Sequence, residues 1–308
     1  MRAFIFPGQG SQSVGMGAAL AGASRAARDV FDEVDEALGQ NLFRLMREGP
    51  DDELKLTENA QPAIMAHSLA VLRTLGVPLP DVAQFVAGHS LGEYSALCSA
   101  GSFDVSTTAK LLKLRGQAMQ QAVPVGEGAM AALLGADLGL AQRIAEAASE
   151  GEVCTVANDN DPSQVVISGQ KSAINRAIAI AKDMGAKRAV PLPVSAPFHC
   201  PLMEPAAEAM RDALSYVIVE APEVPVFANV TAQPETDPDT IRNQLVEQVT
   251  GMVRWRESIA KMVDAGVHEF VEIGGKVLGS MVKRIAPDAT VTGIVTIEDV
   301  EAAAKEIA

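Results

Sequence analysis

The segment Gly88-His89-Ser90-Leu91-Gly92 is a G-x-S-x-G, a pattern that can present a serine hydroxyl as a nucleophile. The apolar run Phe85-Val86-Ala87 before it reads as a short buried strand, and Leu91–Ser99 after it as a helix. A nucleophile elbow requires this strand–turn–helix context. The two glycines remove Cβ atoms where a sharp turn crowds its neighbours. Ser90 is left at a helix N-terminus, where free N–H groups and the helix dipole favour developing negative charge. The competing reading is a plain βα-turn with a capping serine.

A serine nucleophile needs a base at neutral pH, and the chain has four histidines. His67 falls in mid-helix and reads as a packed or surface residue. His89 adjoins Ser90, and adjacent side chains in an elbow diverge. His268 begins a strand near the C-terminus. His199 follows the Pro-rich loop Val194-Ser195-Ala196-Pro197-Phe198, at a junction where clefts form, and is the best placed. Arg115 also stands out, because Leu111, Arg115 and Met119 share one face of a helix over 106–121. A guanidinium on an apolar face needs an anionic partner. That partner is either an internal Asp or Glu, or a substrate carboxylate gripped by the planar fork. The loop Pro7-Gly8-Gln9-Gly10 is neither a G-x-G-x-x-G nor a phosphate-binding P-loop. It can still offer backbone N–H groups to an oxyanion, or be only a tight turn.

The elements that must hold these groups alternate. Strands are expected at 2–6, 85–87, 224–229, 269–273 and 291–295, with helices at 24–38, 59–75, 106–121, 238–249, 255–265 and 277–285. Pro62 is read as lying in a first helical turn. Alternation of this kind argues for a largely parallel sheet covered by helices. Residues 126–195 have another rhythm: strand 129–134, helix 137–149, strands 153–157 and 165–168, helix 172–184 and strand 187–191. That is the split β-α-β-β-α-β unit, with Asn158-Asp159-Asn160-Asp161-Pro162 expected as the turn of its central hairpin. The fold class expected is α/β, with residues 126–195 a small subdomain inserted into a larger domain made of 1–125 and 196–308.

Composition narrows the function. The 308 residues are 48% apolar and 21% charged, with 25 Lys and Arg against 39 Asp and Glu, for a net charge of −14. Such a chain can bury most of its unfolded surface without a disulfide or metal staple. The acidic balance disfavours nucleic acid, and no apolar run approaches the ~18 residues of a membrane span. Three scattered cysteines and the absence of CxxC or HExxH give no disulfide or metal framework. A cytoplasmic, metal-free monomer is expected.

Taken together, several motifs resemble the malonyl-CoA:acyl carrier protein transacylase family. They are Phe6-Pro7-Gly8-Gln9-Gly10-Ser11-Gln12, Gly88-His89-Ser90-Leu91-Gly92-Glu93-Tyr94-Ser95-Ala96-Leu97, Arg115-Gly116, Asn158, Pro197-Phe198-His199 and Gln248. They span nearly the whole chain in the family's order. The resemblance implies an α/β-hydrolase-like core with a ferredoxin-like insertion. It makes Ser90 the acyl-accepting nucleophile, His199 its base and the backbone carbonyl of Gln248 the group that orients the imidazole. Gln9 and Leu91 would line the oxyanion hole. Arg115 would grip the malonyl carboxylate, with Asn158 and Phe198 also at the substrate. It implies malonyl-CoA as substrate, no permanently bound cofactor, and acyl carrier protein with its phosphopantetheine arm as partner. A stand-alone polyketide-pathway acyltransferase and a serine thioesterase or hydrolase are the alternatives. Glu272-Ile273-Gly274-Gly275-Lys276 is one residue shorter than the family's E-x-G-P-G-K, which puts that loop's shape in question. Some of Lys187, Arg188, Lys276, Lys283 and Arg284 are expected to rim the cleft for an acidic carrier, the competing reading being a set of solvated basic side chains.

Overall fold

The computed structural model describes residues 1–307. Two sheets organise it. The larger has the order β10-β9-β1-β2-β7-β8, built from β1 (Arg2–Phe6), β2 (Phe85–Gly88), β7 (Val226–Phe227), β8 (Pro234–Glu235), β9 (Glu269–Ile273) and β10 (Thr290–Ile294). All its pairings are parallel except β7 with β8. Ala3–Phe6 of β1 are all buried, as expected of a central parallel strand covered on both faces.

The smaller sheet is antiparallel, with the order β4-β5-β3-β6. Its strands are β3 (Gly128–Leu134), β4 (Cys154–Asp161), β5 (Gln164–Gln170) and β6 (Arg188–Pro191). Helices α9 (Leu138–Ser149) and α10 (Lys171–Ala181) pack Ala141, Ile144, Ala145, Ile174 and Ala177 against it as a separate apolar cluster.

Between β1 and β2 run α1 (Ala18–Ala23), α2 (Arg25–Leu38), α3 (Leu42–Glu48), α4 (Asp51–Leu54), α5 (Thr57–Leu75) and α6 (Leu79–Val82). After β2 come α7 (Gly92–Ser99) and α8 (Val105–Ala122). The chain returns to the main body through α11 (Glu204–Ser215), α12 (Pro238–Thr250), α13 (Trp255–Asp264), α14 (Gly279–Ile285) and α15 (Ile297–Ile307). Local sequence starts several of these. Ser24, Asp104, Asp137 and Asp237 each accept a backbone N–H of the following first turn, the usual N-cap bond.

Four sequence expectations need correction. Asn158, Asp159, Asn160 and Asp161 are not the hairpin turn; they extend β4 and are buried, and the reversal falls at Pro162-Ser163. Register shifts near Asn158 and Asp161 bend the strand there, while carboxylates that local propensity sends to a turn find arginines on other elements. The strand expected over 224–229 keeps only Val226 and Phe227, because the chain turns at once and the Ala232 N–H bonds the Ala228 carbonyl. Helix α5 starts at Thr57, so Pro62 lies inside it rather than in its first turn. The short helices α1, α3, α4 and α6 and the longer α11 and α15 were not expected, although the buried Ala206/Ala207/Met210/Leu214 and Val300/Ala303/Ile307 of the last two repeat at helical spacing. No helix among the described residues is long and apolar enough to cross a membrane.

Candidate active site

Strand β2 ends at Gly88 and α7 begins at Gly92, with Ser90 between them at φ 54°. A Cβ on Gly88 would stand 1.9 Å from the Gly92 backbone, and one on Gly92 would stand 2.3 Å from the Phe6 carbonyl oxygen. Only glycine permits either approach. The turn is held from outside: the Ser90 N–H donates to Asn229 Oδ1 (2.8 Å), and Asn229 Nδ2 donates to the Gly88 carbonyl (2.7 Å). The short β7 therefore has a purpose, since the turn after it delivers Asn229 to the elbow.

Ser90 Oγ lies 2.7 Å from His199 Nε2, and His199 Nδ1 lies 2.9 Å from the backbone carbonyl of Gln248. A carbonyl only accepts, so Nδ1 carries the proton and Nε2 is left to accept from the serine hydroxyl. Gln248 lies in the last turn of α12, where helical carbonyls have no partner of their own. No side-chain carboxylate is needed as a third member. Burial, then the Arg115 charge, lowers the His199 pKa to about 3, so the imidazole is neutral and able to take a proton. His199 itself has φ 56°. His89 diverges from the elbow as expected, bonding Asn160 Oδ1 through Nε2 (2.8 Å) and packing on Trp255. His67 is packed in α5 with Nδ1 3.3 Å from the Gly274 carbonyl.

Arg115 is 1% exposed. Nη1 donates to Gln61 Oε1 (2.7 Å), while Nη2 donates to Gln248 Oε1 (2.9 Å) and Ser90 Oγ (3.2 Å). Nε has no acceptor. Among the described residues no carboxylate forms an ion pair with it, so the internal pair weighed from the sequence is not what holds it. Its bonds go to neutral acceptors, and the guanidinium charge is left available at the serine. The backbone N–H groups of Gln9 and Leu91 donate to no acceptor among the described residues, which leaves both free for an oxyanion. The Gln9 side chain reaches Thr57 Oγ1 (3.3 Å).

A cavity of about 480 Å³ opens over Ser90. Every residue expected at the site lines it except Gln248, which stands behind His199. Asn158 enters from bulged β4 of the small sheet, and Phe198 from the return loop. Sequence reasoning missed Asn229, Gln61 and Glu93. Glu93 left no signal in the sequence: its need for partners follows from the burial of every residue of α7 from Gly92 to Cys98. None of Lys187, Arg188, Lys276, Lys283 and Arg284 lines the cavity; Arg284 pairs with Asp161 (2.7 Å) and Lys276 with Asp299 (2.9 Å). Lys55 is the basic side chain that joins Arg115 in the cavity wall. The short Gly274-Gly275 loop is well held, since the buried Glu272 carboxylate accepts the N–H groups of Val277 (2.8 Å) and Gly279 (3.0 Å).

The acyl transferase domain family matches residues 3–283. The malonyl CoA-acyl carrier protein transacylase of Escherichia coli K12 is 45% identical, over 95% of each chain. The chain belongs to the malonyl-CoA:acyl carrier protein transacylase family. Among solved members, the acyl-carrier-protein-S-malonyltransferase of Bartonella henselae superposes with a TM-score of 0.97 at 52% identity, covering 99% of both chains. A malonyl-transacylase solved in complex with a type II PKS acyl-carrier protein gives a TM-score of 0.96 at 39% identity, again over 99% of both. The α/β architecture, with one largely parallel and one antiparallel sheet, is thus the architecture of the transacylase family.

Proposed function

We propose that this chain transfers malonyl groups from malonyl-CoA to the phosphopantetheine thiol of acyl carrier protein, through a malonyl ester on Ser90, in fatty acid synthesis. The observation that carries the reading is the Ser90–His199 contact of 2.7 Å with Arg115 beside it and, among the described residues, no acidic side chain paired to the guanidinium. In the first half-reaction the Ser90 hydroxyl proton passes to His199 Nε2 as Oγ attacks the thioester carbonyl. The N–H groups of Leu91 and Gln9 receive the oxyanion. The C–S bond breaks, and the imidazolium proton goes to the coenzyme A sulfur. In the second half the carrier thiol gives its proton to His199, its sulfur attacks the ester, and the C–Oγ bond breaks with return of the proton to Ser90.

Arg115 holds the malonyl carboxylate, with Asn158 and Phe198 on the walls beside the acyl group and thioester. No permanently bound cofactor enters these steps. A hydrolase releasing free acid would have no use for a guanidinium at the serine. Residues 126–195 are read as a subdomain that contributes one wall of the cleft, with 1–125 and 196–308 forming the domain that carries the nucleophile and base.

The test is mass spectrometry after mixing with malonyl-CoA. A malonyl adduct on Ser90 that disappears on adding carrier protein is expected. Ser90→Ala should carry no adduct, and His199→Ala should acylate roughly 10²–10⁴-fold more slowly. An adduct on the Ser90→Ala protein would overturn the assignment.

A further inference from the structure

Glu93 has no part in the steps above, yet it is 3% exposed and lies directly beneath them. Its Oε2 accepts the Asn229 N–H at 3.0 Å and Gln248 Nε2 at 2.7 Å. Gln248 Nε2 also reaches the Ser90 carbonyl at 3.1 Å, while Gln248 Oε1 accepts from Arg115 Nη2 at 2.9 Å. A glutamine amide has a donor end and an acceptor end of nearly the same shape, and its surroundings decide which way it points. Here two acceptor oxygens face one end and a guanidinium faces the other. Turning the amide over would set its oxygen against the Glu93 carboxylate and its NH₂ against the Arg115 N–H groups.

We propose that Glu93 is a positioning residue for substrate choice: by accepting only the NH₂ end of Gln248, it turns Gln248 Oε1 toward Arg115 and so aims the guanidinium at the acyl group. The inference rests on the reading of Arg115 as the carboxylate-binding residue. His199 is held by the Gln248 main-chain carbonyl, which this polarity does not govern. Glu93 therefore acts on the choice of acyl group and not on the base. Its buried carboxylate also faces the buried guanidinium of Arg115 across a single amide, an arrangement that offsets part of the cost of the internal positive charge. The pKa of Glu93 is pushed up to about 7 by burial, against the opposing pull of Asn229, Gln248 and Arg115, so the accepting carboxylate is the dominant form at pH 8, where the test is run.

The test compares kcat/KM for malonyl-CoA and acetyl-CoA in Glu93→Gln, normalised to folded protein by a thermal melt. An amide at position 93 can offer either end to Gln248, so the shortest and only charged contact on the Gln248 NH₂ end is lost, and the Ser90 carbonyl at 3.1 Å and the guanidinium itself are left to hold the polarity. Malonyl transfer should fall roughly ten- to a hundredfold, the effect of losing a hydrogen bond to a charged group. Acetyl transfer should stay within about threefold, because acetyl makes no use of the guanidinium. Equal losses with both thioesters, or no loss with malonyl-CoA, overturn the proposal. If Glu93→Gln does not fold, Glu93→Asp is read instead. Its shorter carboxylate draws the acceptor back from Gln248 Nε2. Malonyl transfer should fall while acetyl transfer stays within about threefold; equal losses with both thioesters overturn the idea. A parent protein that forms no malonyl adduct would instead overturn the function itself, so the two failures are distinct.

Discussion

At the scale of single residues, the site is arranged around one buried positive charge and one buried neutral base. Burial, then the Arg115 charge, keeps His199 unprotonated. As the proposed base it is competent above its lowered pKa of about 3, far below the ordinary histidine value. Acylation of Ser90 by a neutral acyl thioester, which leaves Arg115 unengaged, should therefore hold its rate from pH 8 down to about 5. A fall centred near 6.5 in a stopped-flow profile would show that His199 titrates normally. Arg115→Ala should cost malonyl transfer roughly 10²-fold or more while acetyl transfer holds or rises, since the carboxylate loses its partner in a desolvated cleft. Arg115→Lys should restore little, because a point charge cannot copy the planar fork. Ser90 also carries backbone strain, with its φ of 54° in the left-handed region. Ser90→Gly should melt higher than Ser90→Ala by the equivalent of about 1 kcal/mol. Equal melting temperatures would show that the elbow stores no such strain.

At the scale of elements, helices α5 and α8 bring Thr57, Gln61 and Arg115 to the serine. They approach so closely that a Cβ on Gly116 would sit 2.5 Å from Glu58 Cα and 2.7 Å from the Thr57 carbonyl oxygen. Backbone cannot give way as a side chain can. Gly116→Ala should force the helices apart at a cost of about 1–3 kcal/mol, visible in a denaturant melt, and should impair malonyl transfer by moving Arg115. Most elements of this kind were legible. The strand before the elbow, the helix carrying Arg115 and the βαββαβ order all follow from period and turn signals within short windows. What escaped depends on distant partners. Asn158-Asp159-Asn160-Asp161 reads locally as a turn, yet it is strand because Asp159 meets Arg256 and Asp161 meets Arg284. Glu93 and Asn229 are bonded across more than 130 positions of sequence, a pairing that no local window contains. The histidine base could be ranked first by its loop, but its orienting carbonyl came only from the family resemblance, since main-chain groups leave no mark on a sequence.

At the scale of the whole molecule, β4 joins the small sheet to the main body. Val253 bonds it on both sides, through its N–H to the Ala157 carbonyl and its carbonyl to the Asp159 N–H. Arg256 grips Asp159 through Nε and Nη2, and Arg284 holds the fully buried Asp161. Arg256→Ala would leave a buried carboxylate without its main partner, at a cost of roughly 1–3 kcal/mol, and should lower the melting temperature. Charge reversal at Arg284 should likewise act on stability. If it raised the KM for carrier protein without lowering the melting temperature, the ion pair would be incidental and Arg284 would belong to the docking surface.

The main-chain oxygen that steadies His199 has a consequence of its own. A triad whose third member is a carboxylate can be disarmed by one codon change at that position. Here the acceptor belongs to the peptide backbone at the end of α12, and every amino acid supplies the same oxygen. Substitution at position 248 can disturb the selectivity of the site, through the amide that meets Arg115, but it cannot delete the partner of the base. The catalytic power of the chain is thus shielded from mutation at this position and exposed to heat and denaturant, which fray helix ends. In an evolving lineage the acyl group accepted could drift while the transfer chemistry persisted.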